Sequence, residues 1–167
     1  PRPFFARQVE KNLLAYDSLA DALVPGSINE SEMTASFVIS TKSEDREGDI
    51  VEPRGFLDYL DEYGKNPIVL FDHSQADGPI GLSEDKQKRL TVRVQGDSLI
   101  GTCHFHGKPF KGVNLSEEVF NLVVIGALRG ASPGFLPIDS MLRGYTDDAG
   151  THYKKMRLTE WSVCNLP

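Results

Sequence analysis

The chain has 167 residues, and 24 acidic against 18 basic residues give it a net charge of −6 at pH 7. This length predicts one domain with one core, and the acid excess argues against nucleic acid as the main partner. No run reaches the roughly 18 consecutive apolar residues of a membrane span, so no membrane partner is expected. Two cysteines, Cys103 and Cys164, are too few for a disulfide framework, so we expect a reducing compartment.

The first half of the chain opens with a helical pattern and continues with strand patterns. Apolar residues spaced by three or four positions predict a helix over 7–23. Alternation over 33–40 predicts a half-buried strand. The segment 55–63 has the pattern of a short helix with Phe56, Leu57 and Leu60 on its apolar side. The continuous apolar run 67–71 predicts a central strand.

Acidic residues are concentrated over 43–62, where eight acids face two bases. That segment accounts for a charge of −6, so the rest of the chain is balanced. We interpret it as a solvated face, with a docking surface for a basic partner as the alternative.

The second half of the chain has strand patterns on both sides of an apolar helix. Segments 90–95 and 98–106 read as a hairpin, and 135–142 and 152–166 as two final strands. The helix over 115–125 is apolar nearly all round, so we expect it to be buried. Because the strands come mostly in hairpins, the pattern predicts an α+β domain with a mostly antiparallel sheet, closed into a small barrel.

Ser132 is the first candidate for chemistry, because Gly130–Gly134 fits G-x-S-x-G, the pattern of a nucleophile elbow. A helix precedes it and a strand follows it, which is the reverse of the elbow, and Pro133 has no N–H to donate. The glycines predict a bend in which a substrate can approach the hydroxyl, with the Gly134 N–H as a donor. An ordinary turn serine is the alternative.

His73 and Glu160 are candidates to support such a serine. His73 follows the apolar run 67–71, where a strand gives way to a loop, and a general base fits there as well as a surface histidine does. Glu160 is in phase with Met156 and Leu158, so it would carry a carboxylate into the core if that face is buried. A buried carboxylate needs a partner, and an imidazole N–H would serve. A solvated edge-strand glutamate is the alternative.

The remaining histidines give weaker signals. His104 and His106 form an H-x-H on one strand face, a spacing that can bind a metal. Core-type residues alternate with them, so we expect this pair to face solvent and predict no metal site and no cofactor. His152 is a second candidate partner for Ser132.

Four parts of the chain carry a resemblance to one family: FVISTKSEDREGDIVEPRGF, NPIVLFDHS with GPIGLSED, VIGALRGASPGFLP and LTEWSVCNLP. In this order they resemble the prohead (capsid maturation) proteases of tailed bacteriophages, over roughly 37–167. The resemblance implies the fold of herpesvirus assembly proteases, a small closed barrel with surrounding helices. The first predicted helix lies outside the resemblance. We therefore expect an N-terminal helical segment, 1–26, and a serine protease domain, 27–167, within a single domain overall.

The resemblance also implies a serine endopeptidase. Ser132 matches the nucleophile, His73 the general base and Glu160 the orienting acid, with His152 left as the alternative third member. The backbone N–H groups of Ser132 and Gly134 are the implied oxyanion donors, and no cofactor is implied.

The substrates implied are the scaffold, the scaffolding segment of the major capsid protein and the protease itself, cut inside the assembling prohead in the host cytoplasm. Self-association is expected. One alternative is a catalytically silent capsid-assembly scaffold domain of the same fold. Another is a different hydrolase, esterase-like or dependent on a metal at His104 and His106.

Overall fold

The computed structural model describes residues 21–45, 48–109, 112, 114–144 and 150–165. A 3-10 helix, Pro53–Tyr59, leads directly into α1 (Leu60–Tyr63), and α2 (Leu115–Val124) precedes the last two strands. The strands are β1 (Thr34–Thr41), β2 (Ile50–Val51), β3 (Ile68–Phe71), β4 (Gly81–Leu82), β5 (Arg93–Gln95), β6 (Ser98–Phe105), β7 (Gly130–Leu142) and β8 (Thr151–Cys164).

The strands form one mixed sheet that curls into a nearly closed barrel. Its order runs β1-β6-β4-β3-β8, and β7 continues it on the other side of β8. Strands β2 and β3 both pair with β8 in parallel, whereas β7 pairs with it in antiparallel. The last strand of the chain is therefore the central element of the fold.

The predicted fold class, an α+β domain with a mostly antiparallel sheet and surrounding helices, is wrong. The protein is mostly β, with 44% strand and 16% helix, and the described residues hold two α-helices beside a mixed sheet. The physical reason is the pairing of β3 with β8, which are about 90 residues apart in the chain. Such a pairing does not appear in local periodicity, because a strand alternates in the same way whichever direction its neighbour runs.

A short segment before β1 lies at the seam between β1 and β7. Leu23 donates its N–H to the Arg129 carbonyl at 3.1 Å, and Val24 donates to the Ser36 carbonyl at 2.9 Å. Leu23 also forms a bridge with Phe37 on β1. The predicted helix over 7–23 lies outside the described residues up to position 20, and residues 21–23 are not helical.

Several local predictions are confirmed, with exceptions on the surface. The strands over 33–40 and 67–71 and the hairpin over 90–106 form as predicted, as β1, β3 and the β5–β6 pair. Phe56 and Leu60 are buried, but Leu57 is exposed. The expectation that the helix over 115–125 is buried nearly all round is wrong, because Leu122 and Ile125 are exposed.

Much of the acidic segment pairs with bases of the same chain. Lys155 Nζ lies 2.9 Å from Asp58, Arg157 Nε lies 3.1 Å from Glu62, and both bases are on β8. Asp49 is buried and accepts the Thr151 N–H at 2.5 Å. These contacts hold the segment against the β7–β8 hairpin. No helix in the described part of the chain is long and apolar enough to cross a membrane.

Candidate active site

Three neighbouring strands, β7, β8 and β3, bring the candidate residues together on one face of the sheet. Ser132 on β7 lies directly opposite Ser162 on β8, and Gly134 lies opposite Glu160. Opposite residues of an antiparallel pair share a face, and so do residues two apart on a strand. Ser132, Glu160 and Ser162 therefore lie on the same face.

A bulge at Thr159 places Glu160 on this face. Gly134 pairs with Glu160, but the next residue of β7, Phe135, pairs with Leu158, so β8 carries one extra residue. The extra residue shifts the alternation, and Glu160 lies on the opposite face from Leu158. The predicted phase is thus wrong, because Leu158 shares the barrel interior with Trp161. Glu160 is nevertheless buried on the other face, with 7% of the residue exposed, so the alternative of a solvated edge-strand glutamate is wrong.

His73 contacts this face through its imidazole. Its Nδ1 lies 2.7 Å from Glu160 Oε1, and both side chains are largely buried. An ionised carboxylate only accepts hydrogen bonds, so this contact favours the tautomer that carries its proton on Nδ1. In that tautomer Nε2 has a lone pair and accepts a proton from a nucleophile.

The turn after β3 is tied to the end of β8. Asp72 and His73 have φ angles of 47° and 58°, a left-handed conformation that costs a non-glycine residue about 1–3 kcal/mol. Three hydrogen bonds compensate. The Asp72 N–H donates to the Val163 carbonyl at 3.1 Å, the His73 N–H donates to Ser162 Oγ at 3.1 Å, and the Asn165 N–H donates to the Asp72 carboxylate at 2.8 Å.

Ser132 lies within β7, so the predicted bend at this serine is wrong. Its pairing with Ser162 fixes the position of Ser132, because the Cβ atoms of directly opposite residues are about 4.5–5.5 Å apart. Ser162 Oγ in turn lies 3.3 Å from His73 Nδ1. Ser132 is 6% exposed. It is the residue that β7 contributes to this face, next to Ser162 on β8. The assignment of the Ser132 and Gly134 N–H groups as oxyanion donors stays a prediction.

The absence of a side chain at Gly134 leaves room for the Glu160 carboxylate. A Cβ atom at this position would overlap Glu160 Oε1 and lie 2.8 Å from its carboxyl carbon. The last glycine of the G-x-S-x-G segment therefore supports the acid beside His73 rather than a bend.

Cys164 is a second potential nucleophile on the same face. Its Sγ lies 3.9 Å from His73 Nε2, but its S–H donates to the Ser162 carbonyl at 3.6 Å. Burial, helped by the negative charges of Asp72 and Glu160, raises the pKa of the Cys164 thiol far above its usual range. The reactive form of cysteine is the thiolate, so burial of the thiol argues against Cys164 as the nucleophile.

The other histidines contact groups outside this site or have a ring nitrogen without a hydrogen-bond partner in the described part of the chain. His152 lies 3.0 Å from Glu52 and eight residues before Glu160 on β8, which is roughly 25 Å along a strand. His106 contacts the Pro79 carbonyl at 2.9 Å, and His104 is half-buried with no hydrogen-bond partner for Nδ1. Within the described ranges, no three potential metal ligands cluster.

Sequence reasoning missed Ser162, which is fully buried between Glu160 and His73. Its signal was the series Glu160, Ser162 and Cys164 at every second position, alternating with the apolar residues Trp161 and Val163. Such a series predicts one polar face.

The arrangement can carry out nucleophilic catalysis of acyl transfer: a serine hydroxyl, an imidazole and a buried carboxylate share one face of three strands. Comparison of the chain with protein-family models, with curated proteins and with solved structures gave no match.

Proposed function

We propose that the protein is a serine endopeptidase that matures viral proheads. The observation that carries the proposal is the 2.7 Å contact between His73 Nδ1 and Glu160 Oε1 on the face that holds Ser132. The geometry supports acyl transfer, and the sequence resemblance supports the choice of peptide substrates.

In the proposed reaction Ser132 Oγ attacks the scissile carbonyl carbon while its proton passes to His73 Nε2. Glu160 holds the ring and stabilises the imidazolium that forms. The protonated His73 then gives its proton to the leaving amine, and an acyl-enzyme remains on Ser132. Water, deprotonated by the same imidazole, releases the acid and restores the serine. General-base assistance of this kind contributes about 10²–10⁴-fold.

The proposed substrates are proteins of the assembling shell: the scaffold, the scaffolding segment of the major capsid protein and the protease itself. The proposed place of action is the prohead interior in the host cytoplasm, and self-association is part of the proposal. Nothing in the proposed reaction draws on a metal ion, so a chelator should leave the rate unchanged.

Co-expression tests this function. The full chain is produced together with the capsid-protein precursor of the same virus, and the products are identified by intact mass. We expect defined cleavage with the wild-type chain and none with Ser132→Ala. Cleavage that continues in Ser132→Ala would refute the proposal. Stable binding to the precursor without any cleavage would instead support the silent scaffold.

A further inference from the structure

We propose that Ser162 is a positioning residue of this site, whose hydroxyl fixes the carboxylate and the backbone of the histidine relative to each other. This inference rests on the proposed function. In this proposal Ser162 does not react itself and acts through its contacts with Glu160 and His73.

The polar contacts of the Ser162 side chain involve Glu160 and His73, including a 3.3 Å approach of Oγ to His73 Nδ1. Its Oγ donates to Glu160 Oε2 at 2.8 Å and accepts the His73 backbone N–H at 3.1 Å. A hydroxyl has one proton to donate and two lone pairs to accept with, so it can hold both partners at once. Glu160 Oε1 contacts the imidazole, so each carboxylate oxygen has its own fixed partner.

This link removes two freedoms that would misplace the imidazole. The carboxylate cannot rotate about its last bond, because Ser162 holds one oxygen and His73 the other. The left-handed turn at His73 cannot relax, because its N–H is held by the same hydroxyl. Without the hydroxyl, a buried carboxylate oxygen and a backbone N–H would each lose a partner, a condition that buried polar groups avoid.

The face on which Ser162 lies separates this role from barrel packing. Trp161 and Val163, its neighbours on β8, point into the barrel and are fully buried there. The Trp161 indole N–H donates to Ser83 Oγ at 2.5 Å. Ser83 is thus a fully buried serine that also hydrogen-bonds to β8 but lies outside the site, and Ser83→Ala is the matched control.

The test measures the histidine and the serine separately in the full chain. The tautomer of His73 is read from the nitrogen and proton resonances of its ring. The rate of modification of Ser132 by a fluorophosphonate is read by mass spectrometry. We expect a single Nδ1–H tautomer in the wild type and in Ser83→Ala. We expect a mixture of tautomers in Ser162→Ala, with a rate about 100-fold lower, the loss typical of misplaced catalytic groups.

Ser162→Thr keeps the hydroxyl and should restore the Nδ1–H tautomer and most of the rate. A Ser162→Ala protein with the wild-type tautomer would overturn the positioning role, whatever its rate. A wild-type protein with the Nδ1–H tautomer but no adduct on Ser132 would overturn the proposed function and leave the tautomer comparison to decide the role of Ser162.

Discussion

At Gly134 a single added carbon would enter the space of the Glu160 carboxylate. We expect Gly134→Ala to push that carboxylate away from His73 and to lower the rate of Ser132 modification about 100-fold, because small displacements of catalytic groups have large effects. The fluorophosphonate rate checks this.

Gly64→Ala is the control. Gly64 has φ −58°, and its added Cβ would lie 3.4 Å from the nearest atom, the Leu60 carbonyl oxygen. It should react like the wild type. A Gly134→Ala protein that reacts as fast as Gly64→Ala would show that Glu160 does not need this space.

Cys164 lies next to His73 but should not react. Burial raises the pKa of its thiol, so the thiolate is scarce at neutral pH and alkylation by iodoacetamide should be slow until the protein unfolds. Mass spectrometry of native and denatured protein measures this. We expect Cys164→Ser to keep the adduct on Ser132. Rapid native alkylation of Cys164, with loss of activity, would identify the cysteine as the nucleophile instead.

The turn after β3 depends on Asp72 in two ways. Aspartate tolerates the left-handed conformation better than alanine does, and its carboxylate accepts two hydrogen bonds from Asn165. We expect Asp72→Ala to lower the free energy of unfolding by about 1–3 kcal/mol. Urea unfolding measures the change.

Asp72→Asn keeps the conformational preference and one of the two carboxylate acceptors. Asparagine tolerates the left-handed region and keeps one acceptor for the Asn165 N–H, so it should lose less stability than alanine. Equal losses for the two variants would mean that neither the left-handed conformation nor the retained acceptor contributes to stability.

The strands near the site show what periodicity can and cannot predict. Alternation correctly placed β1 and β6, and a continuous apolar run placed β3. Burial alternates without interruption along β6, whereas β1 has a register shift between Val38 and Ser40. Alternation gave Glu160 the wrong face because an extra residue at Thr159 shifts the phase, and nothing in the local pattern marks that residue as a bulge. The glycines and Pro133 predicted a bend at Ser132, because these residue types usually break strands. In the structure Gly134 instead leaves room for the Glu160 side chain.

The candidate site could be predicted residue by residue but not as a geometry. His73, Ser132 and Glu160 could each be singled out by residue type and surroundings. Their meeting on one face depends on the parallel pairing of β3 with β8, which joins residues about 90 positions apart. Ser162 could not be singled out from the sequence, because most serines on strands are ordinary surface residues. Its role is seen only in the structure, where its hydroxyl contacts both Glu160 and His73.

Across the whole molecule, His104 should make stability depend on pH. Burial lowers the pKa of its imidazole, although Asp85 and Glu32 partly oppose this. Below the unfolded value of about 6.5 the unfolded chain binds a proton that the folded protein resists, so the free energy of unfolding falls as the pH falls. We expect His104→Gln to flatten this part of the curve.

Urea unfolding at a series of pH values between 7 and 5, roughly the range in which histidines titrate, measures the two curves. The other histidines contribute to both proteins alike, so the difference between the curves isolates His104. Parallel curves would contradict the effect of burial at this position.

In the proposed reaction His73, held by Glu160, activates Ser132. The most direct measurement is peptide mapping after treatment with a fluorophosphonate, on the wild type and on His73→Ala. We expect one adduct, on Ser132, that forms about 10²–10⁴-fold more slowly when the imidazole is removed. An adduct on another residue, or one on Ser132 that forms equally fast in His73→Ala, would contradict this reaction.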